Sequence, residues 1–231
     1  MQRENGFSIL HTTEFKHHSG EFAGWGDAKS LTLAYNLTDV VARELEQGVT
    51  FDLTHERYIA EYRNTPKPKG IPYDSQYGLC FRYVLSHLIN KVASARQTHR
   101  LHVVLERGHP NACNCEKIFD ETKLTLKAKG IELLGDFTLA RKDEAAPLMV
   151  ADFLAHSYLM LRQSGEFSTT LDERSSTGLS EKRDSGLLYL GLKPDAIHDL
   201  KRRLQEDRWL RQAYQKRLRA SALASGKVSD E

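Results

Sequence analysis

Only three cysteines, Cys80, Cys113 and Cys115, occur in 231 residues. So sparse and odd a set excludes a disulfide framework. Long apolar runs are lacking as well. The longest, near Leu148 to Leu161, is too short and too interrupted to cross a bilayer. The opening MQRENGFSIL has neither the apolar core nor the small-residue cleavage site of a signal peptide. A cytoplasmic location, without a membrane partner, is therefore the expectation. An excess of one charge is missing too: 33 basic and 31 acidic residues leave a net charge of +2. That excludes the global basic field of a nucleic-acid packager, so any contact with nucleic acid has to come from a local patch. No internal repeat occurs.

What is present is an ordinary globular composition, 40% apolar and 28% charged. The length suits one large domain, or one domain with an appendage, and allows a sizeable core. Phe7 to Phe15 reads as a short strand running into a turn at Ser19-Gly20 and Gly24-Trp25-Gly26. Ala28 to Gln47 carries Leu33, Leu37, Val40, Val41 and Leu45 at helical spacing, with Asp27 as N-cap and Gly48 as the closing glycine. Val49 to Leu53 is a short strand. Arg63 to Pro72 is a proline-rich loop. Ser75 to Ala95 is a helix with Tyr77, Phe81, Val84, Leu85, Leu88 and Val92 on its apolar face.

Leu101 to Glu106 is the clearest strand, cut short by Arg107-Gly108-His109-Pro110. Cys113 to Ala128 is a helix stopped by Gly130, and Ile131 to Leu139 is a further strand. Pro147 opens a helix to Arg162, at a position where a missing N–H costs nothing. Ser164 to Ser185 is polar and reads as a long loop or mobile segment. Pro194 to Leu223 is a basic helix, followed by a disordered tail. The alternation predicts an α/β fold, a mixed sheet with helices on its faces. Residues 1–163 form that domain, 164–193 the loop, and 194–231 the basic helix and tail.

Glu106 stands at the carboxyl end of a strand, where ligand sites in open α/β sheets collect. Equally, it fits a solvent-exposed acid paired with Arg107. Asp152 lies in PLMVADFLAHSYLML, a helix apolar almost all round and therefore mostly buried. A buried carboxylate has to be paired, metal-bound or protonated. The partner is a cation, or else His156 one turn on or backbone N–H groups. Taken together, Glu106 and Asp152 suit a Mg²⁺ or Mn²⁺ site, since a hard cation takes one or two carboxylates and keeps several waters. Such an ion polarises a phosphoryl oxygen and activates water for phosphodiester cleavage.

His109, Cys113 and Cys115 suggest a small zinc-stabilised module, but they supply only three of the usual four ligands. His17 and His18 fall in a polar turn and read as surface. His102 alternates within a strand and reads as half-buried. The last helix carries Lys201, Arg202, Arg203, Arg208, Arg211, Lys216, Arg217 and Arg219 against Asp199, Glu206 and Asp207. It reads either as a phosphate-binding surface or as a solvated face with i,i+4 pairs. Trp209 and Tyr214 are expected to dock this helix to the body.

The ILHTTEF…GEFAGW stretch, the ERGHPN segment and the PLMVADFLAHS helix together resemble a bacterial family of uncharacterised proteins, domain of unknown function 3800. The resemblance spans Phe7 to Leu161, and ADFLAH is its most specific part. It implies a ribonuclease H-like fold and, by fold analogy, a metal-dependent nuclease site. Glu106 matches the family's strand acid and Asp152 its helix acid. His11 and Asn111 match recurring polar positions and, with Arg107, are the candidate substrate-binding residues. The family's first strand, with its Asp-Glu-Ser motif, has no counterpart here. The expectation is a late reading-frame start or a lost ligand, and a sheet with exposed edges that invite self-association.

Two functions follow. One is a hydrolase in which Glu106 and Asp152 hold Mg²⁺ or Mn²⁺, with Glu14 or His11 assisting. The other is a non-catalytic nucleic-acid-binding or protein-interaction module that keeps the fold and has lost the metal site.

Overall fold

The computed structural model describes residues 6–44, 48–94, 100–163, 179–184, 187–192 and 196–224. The loop expected over Ser164 to Ser185 lies mostly outside these residues, as does the tail after Ala224. The fold is mixed α/β and mainly helical. The chain divides into two compact units. The first comprises Met1–Asp52, Val104–Ala112 and Thr138–Gly191; the second comprises Leu53–Val103, Cys113–Phe137 and Leu192–Glu231.

Unit 1 begins with a surprise. The stretch from Phe7 forms no strand, and Thr12–Lys16 is a short helix, α1. The reason lies in where the backbone donors go. The Ser8 N–H is taken by the Glu21 carboxylate, the Leu10 N–H meets Met149 Sδ at 3.3 Å, and the Thr12 N–H points to Asp152. Side chains satisfy these donors, so no neighbouring strand is required. Phe7, Leu10, Phe22, Trp25, Leu33, Leu37 and Met149 form the core. Trp25 meets Phe7 and Phe22 edge-on, Phe22 with centroids 5.1 Å apart.

Helix α2, Asp27–Glu44, buries Leu33 and Leu37 as its periodicity requires, while Leu31 and Tyr35 on its other faces are exposed. Gly48, expected to close α2, instead opens β1, Gly48–Asp52. The segment expected as loop contains β4, Leu179–Asp184, and β5, Leu187–Leu192, follows it. The sheet order is β1-β5-β4, with β1 parallel to β5 and Val49 opposite Leu188. Charge hid β4, whose LSEKRD suits an edge strand. The apolar LLYLGL bounded by Gly186 and Pro194 was the legible signal for β5.

Strands β2, Leu101–Glu106, and β3, Leu134–Ala140, form a separate two-stranded sheet. Leu101 N–H donates to Leu133 O and Arg107 N–H to Ala140 O, so the strands run parallel. The connection between them contains the helix Ala112–Ala128, named α5 below. Among the described residues, sheet structure is thus split in two, where one mixed sheet was expected.

Unit 2 contains a helical segment that the sequence reading missed: α3, His55–Arg57, running into a π-helical turn, Tyr58–Arg63. Thr54 caps it, accepting from Arg57 N–H at 3.3 Å. Helix α4, Gln76–Ser94, packs Leu85 and Ile89 with Phe119 of α5 and Leu134 of β3. Its buried face is Leu79, Arg82, Tyr83, Leu85 and Ile89, rotated from the expected one. An ion pair described below accounts for the buried arginine.

Helix α6 of unit 1, Pro147–Gln163, and α7 of unit 2, Ala196–Ala224, complete the chain. Ile197, Leu200 and Leu204 bury one face of α7, but Trp209 is 59% exposed and does not dock the helix as expected. No helix among the described residues is long and apolar enough to cross a membrane.

Candidate functional site

In unit 1, four elements deliver polar groups to one place. Glu106 ends β2, and Asp152 lies in the second turn of α6. Thr12 opens α1, and Lys142 follows β3 in the connection to α6. The Lys142 ammonium donates to Asp152 Oδ2 at 2.9 Å and stands 3.8 Å from Glu106 Oε1. Its side chain is only 9% exposed. The two acids therefore face one cation, and that cation belongs to the protein.

Thr12 adds two further donors to the same Asp152 oxygen, its hydroxyl at 2.8 Å and its N–H at 3.3 Å. Partial burial pushes the Asp152 carboxyl up. The bonds from Lys142 and Thr12 outweigh that and hold it below the usual carboxylate range. Asp152 is thus an anion with Oδ2 fully engaged. The helix around it is less buried than its sequence suggests: Ala151, Ala155 and Leu159 are exposed, and the Asp152 side chain is about a third exposed (35%).

His156 is not the partner of Asp152. Its Nε2 is buried and lacks a hydrogen bond among the described residues. Arg107 does not pair with Glu106 either: it donates to Leu139 O at 3.1 Å and lies 3.8 Å from Glu144. His11 occupies the N-cap position of α1 but makes no capping bond. Asn111 donates its N–H to His109 Nδ1 at 3.1 Å. Glu14 folds over Gly20, which has room for it only because it lacks a Cβ. Among the described residues, none of these five side chains bonds to Glu106 or Asp152.

The residues present do not fit a Mg²⁺ or Mn²⁺ ion. A divalent cation at the two acids would meet a buried ammonium already seated on them, and like charges this close repel strongly. Among the described residues, no three His, Cys, Asp or Glu side chains converge in a way that could hold a metal. The zinc arrangement fails for a further reason. Cys113 is exposed and Cys115 fully buried, and burial, followed by the Asp74 charge, pushes the Cys115 thiol up to about 11. One thiol faces solvent and the other lies in the core, so the two do not present themselves to a common ion. His102, expected to be half-buried, is exposed beside Asp136.

Lys142 and Thr12 were the residues the sequence reading missed. Lys142 sits in ARKDEAAP, among charges that look like solvated loop, and nothing in its spacing marks it as buried. No family model matches this chain, and neither a curated protein nor a solved structure does.

Proposed function

We propose that this chain is a non-catalytic nucleic-acid-binding module that keeps a ribonuclease H-like fold and whose cation seat is filled by its own lysine. The observation that carries the reading is Lys142, buried and bonded to Asp152 within reach of Glu106. The ribonuclease H-like part is supported by the parallel β2–α5–β3 connection and by an acid at the end of β2 facing an acid on α6. The resemblance to domain of unknown function 3800 points the same way.

A single-stranded nucleic acid is the partner that the surface of α7 favours. From Arg208 to Ala224 this helix carries five basic residues and no acid. Trp209 is exposed among them, and Lys216 follows two helical turns later on the same face. Stacking platforms beside cations are how sequence-tolerant single-strand binding is built.

The test is fluorescence anisotropy with a labelled single-stranded oligonucleotide, with Mn²⁺ and without it. The oligonucleotide is expected to bind, to stay intact, and to bind less tightly as salt rises. Trp209→Ala should lose about 1–3 kcal/mol, the usual worth of one stacked base. Mn²⁺-dependent cleavage that disappears in Asp152→Asn would instead establish the hydrolase. Failure to bind at low salt would end the nucleic-acid reading.

A further inference from the structure

Unit 2 contains a cavity of about 180 Å³ that the Lys142 centre does not involve. The loop at Gly70, Ile71 and Pro72 forms one side, and α4, α5 and α7 form the others. Four basic side chains line it: Arg82, Lys117, Arg208 and Arg211. Only two acids do, Asp74 and Glu121. Both acids are already engaged. Asp74 is gripped by Arg82 at 2.7 and 3.1 Å, and Glu121 lies 3.8 Å from Arg82 and 3.9 Å from Arg211.

Two positive charges remain without a carboxylate. Arg208 donates to a neutral acceptor, Lys69 O at 2.6 Å. Lys117 has no carboxylate within 4 Å among the described residues. The arginines are held in place independently of any ligand. Arg211 donates to Thr125 Oγ1 at 2.9 Å and is largely buried. Gly70 has φ +78°, and a Cβ there would overlap the Arg208 guanidinium, so the glycine is what lets Arg208 lie across the loop. Ile118 and Leu204 supply apolar wall, which limits water and strengthens any charge pairing inside.

We infer that this cavity binds a phosphate group, either free or as the end of a small phosphomonoester. The two uncompensated charges match a phosphate dianion. Fixed guanidinium forks suit phosphoryl oxygens, which accept paired N–H bonds. The volume is below the ~300–1,000 Å³ of sites that take drug-sized ligands, so the bound group is small. The site goes beyond the function proposed above: Arg208 and Arg211 belong to the basic stretch of α7 but turn into the cavity. Arg208 and Arg211 line the cavity together with Leu204, whereas Trp209 and Lys216 do not.

Calorimetry on the full chain at low ionic strength tests this with two probes, inorganic phosphate and glycerol phosphate. Saturable one-to-one binding of at least one of them is expected. It should weaken at least tenfold in Lys117→Gln and in Arg208→Gln, and remain unchanged in Lys29→Gln, an exposed lysine of unit 1. Tighter binding of glycerol phosphate assigns the ester; equal or tighter binding of inorganic phosphate assigns the free ion. Lys117 is exposed, so its variant decides the question if Arg208→Gln fails to fold. Absence of saturable binding would overturn the site. So would equal affinity in Lys117→Gln, or an equal loss in Lys29→Gln.

Discussion

Each unit neutralises an aspartate with a buried cation, and the two do it differently. In unit 2, Asp74 is 5% exposed and Arg82 8% exposed. The guanidinium meets both carboxylate oxygens in a planar fork. Asp74 N–H donates to Tyr62 Oη at 3.1 Å, and Tyr58 Oη donates to Asp74 O at 2.7 Å. Burial, and then the Asp74 charge, pushes the Tyr62 phenol far above its usual range, so it stays protonated. In unit 1, Asp152 is met by a point charge and a threonine, all on Oδ2, with the carboxylate partly open to water. An arginine fork fixes both oxygens and leaves little for a ligand; a lysine fixes one and can swing aside. Unit 2 therefore holds a structural lock, and unit 1 a plug.

The largest effect should come from breaking the lock. Arg82→Met leaves the Asp74 carboxylate buried and unpaired, and the cost should be about 3–5 kcal/mol by denaturant unfolding. A loss no larger than that of an ordinary hydrogen bond would mean that Asp74 finds water or another donor, and the contrast between the units would vanish.

The plug should cost less to remove and should reveal something when it goes. Lys142→Met is expected to lose about 1.5 kcal/mol, because water can reach Asp152 and replace part of what the ammonium gave. The same variant leaves Glu106 and Asp152 facing each other without a cation. It should therefore acquire saturable Mn²⁺ binding that the unaltered chain lacks and that Lys142→Met/Asp152→Asn loses. Saturable Mn²⁺ binding by the unaltered chain would show that the lysine is no plug.

Acid sharpens the comparison further. The folded-state carboxyl of Asp152 lies below its usual range, so the group stabilises the fold above the unfolded value of about 3.9. That contribution is lost as pH falls through the lower folded value. The stability gap between the unaltered chain and Lys142→Met should thus be constant from neutral pH down to about pH 4 and narrow below it. A gap unchanged through that window would mean that Lys142 stabilises by packing alone.

These two centres also show where sequence reasoning stops. Asp152 stood out because a carboxylate in an apolar helix needs a partner, and Glu106 because it ends a strand. Both inferences use local pattern. Their partners did not stand out. Lys142 is ten residues from Asp152 in a charged stretch, and Arg82 interrupts an apolar helix as surface arginines often do. Burial of either follows from what packs over it, which periodicity does not encode. The same holds for Phe7 to Thr12: its apolar pattern was visible, but the side chains that take its backbone donors, Glu21, Met149 and Asp152, lie 13 to 140 residues away. Helices α4 to α7, by contrast, declared themselves through their own spacing and punctuation.

The smallest effect belongs to Thr12. Its hydroxyl gives Asp152 a bond of 2.8 Å, and the residue is 4% exposed. Thr12→Val keeps the shape and the β-branch at the start of α1 and removes only that donor. The loss should be about 1 kcal/mol, since the Thr12 N–H and Lys142 still hold the carboxylate. Thr12→Ser keeps the donor and removes a methyl group, so the two variants separate bonding from packing. If the plug is held mainly by the hydrogen bond, Lys142→Met should blunt the effect of Thr12→Val, because both act on one oxygen and neighbouring changes on a shared partner do not add. Strict additivity in that double-mutant cycle would instead make Thr12 a packing residue, and Lys142 alone would then set the charge state of the centre.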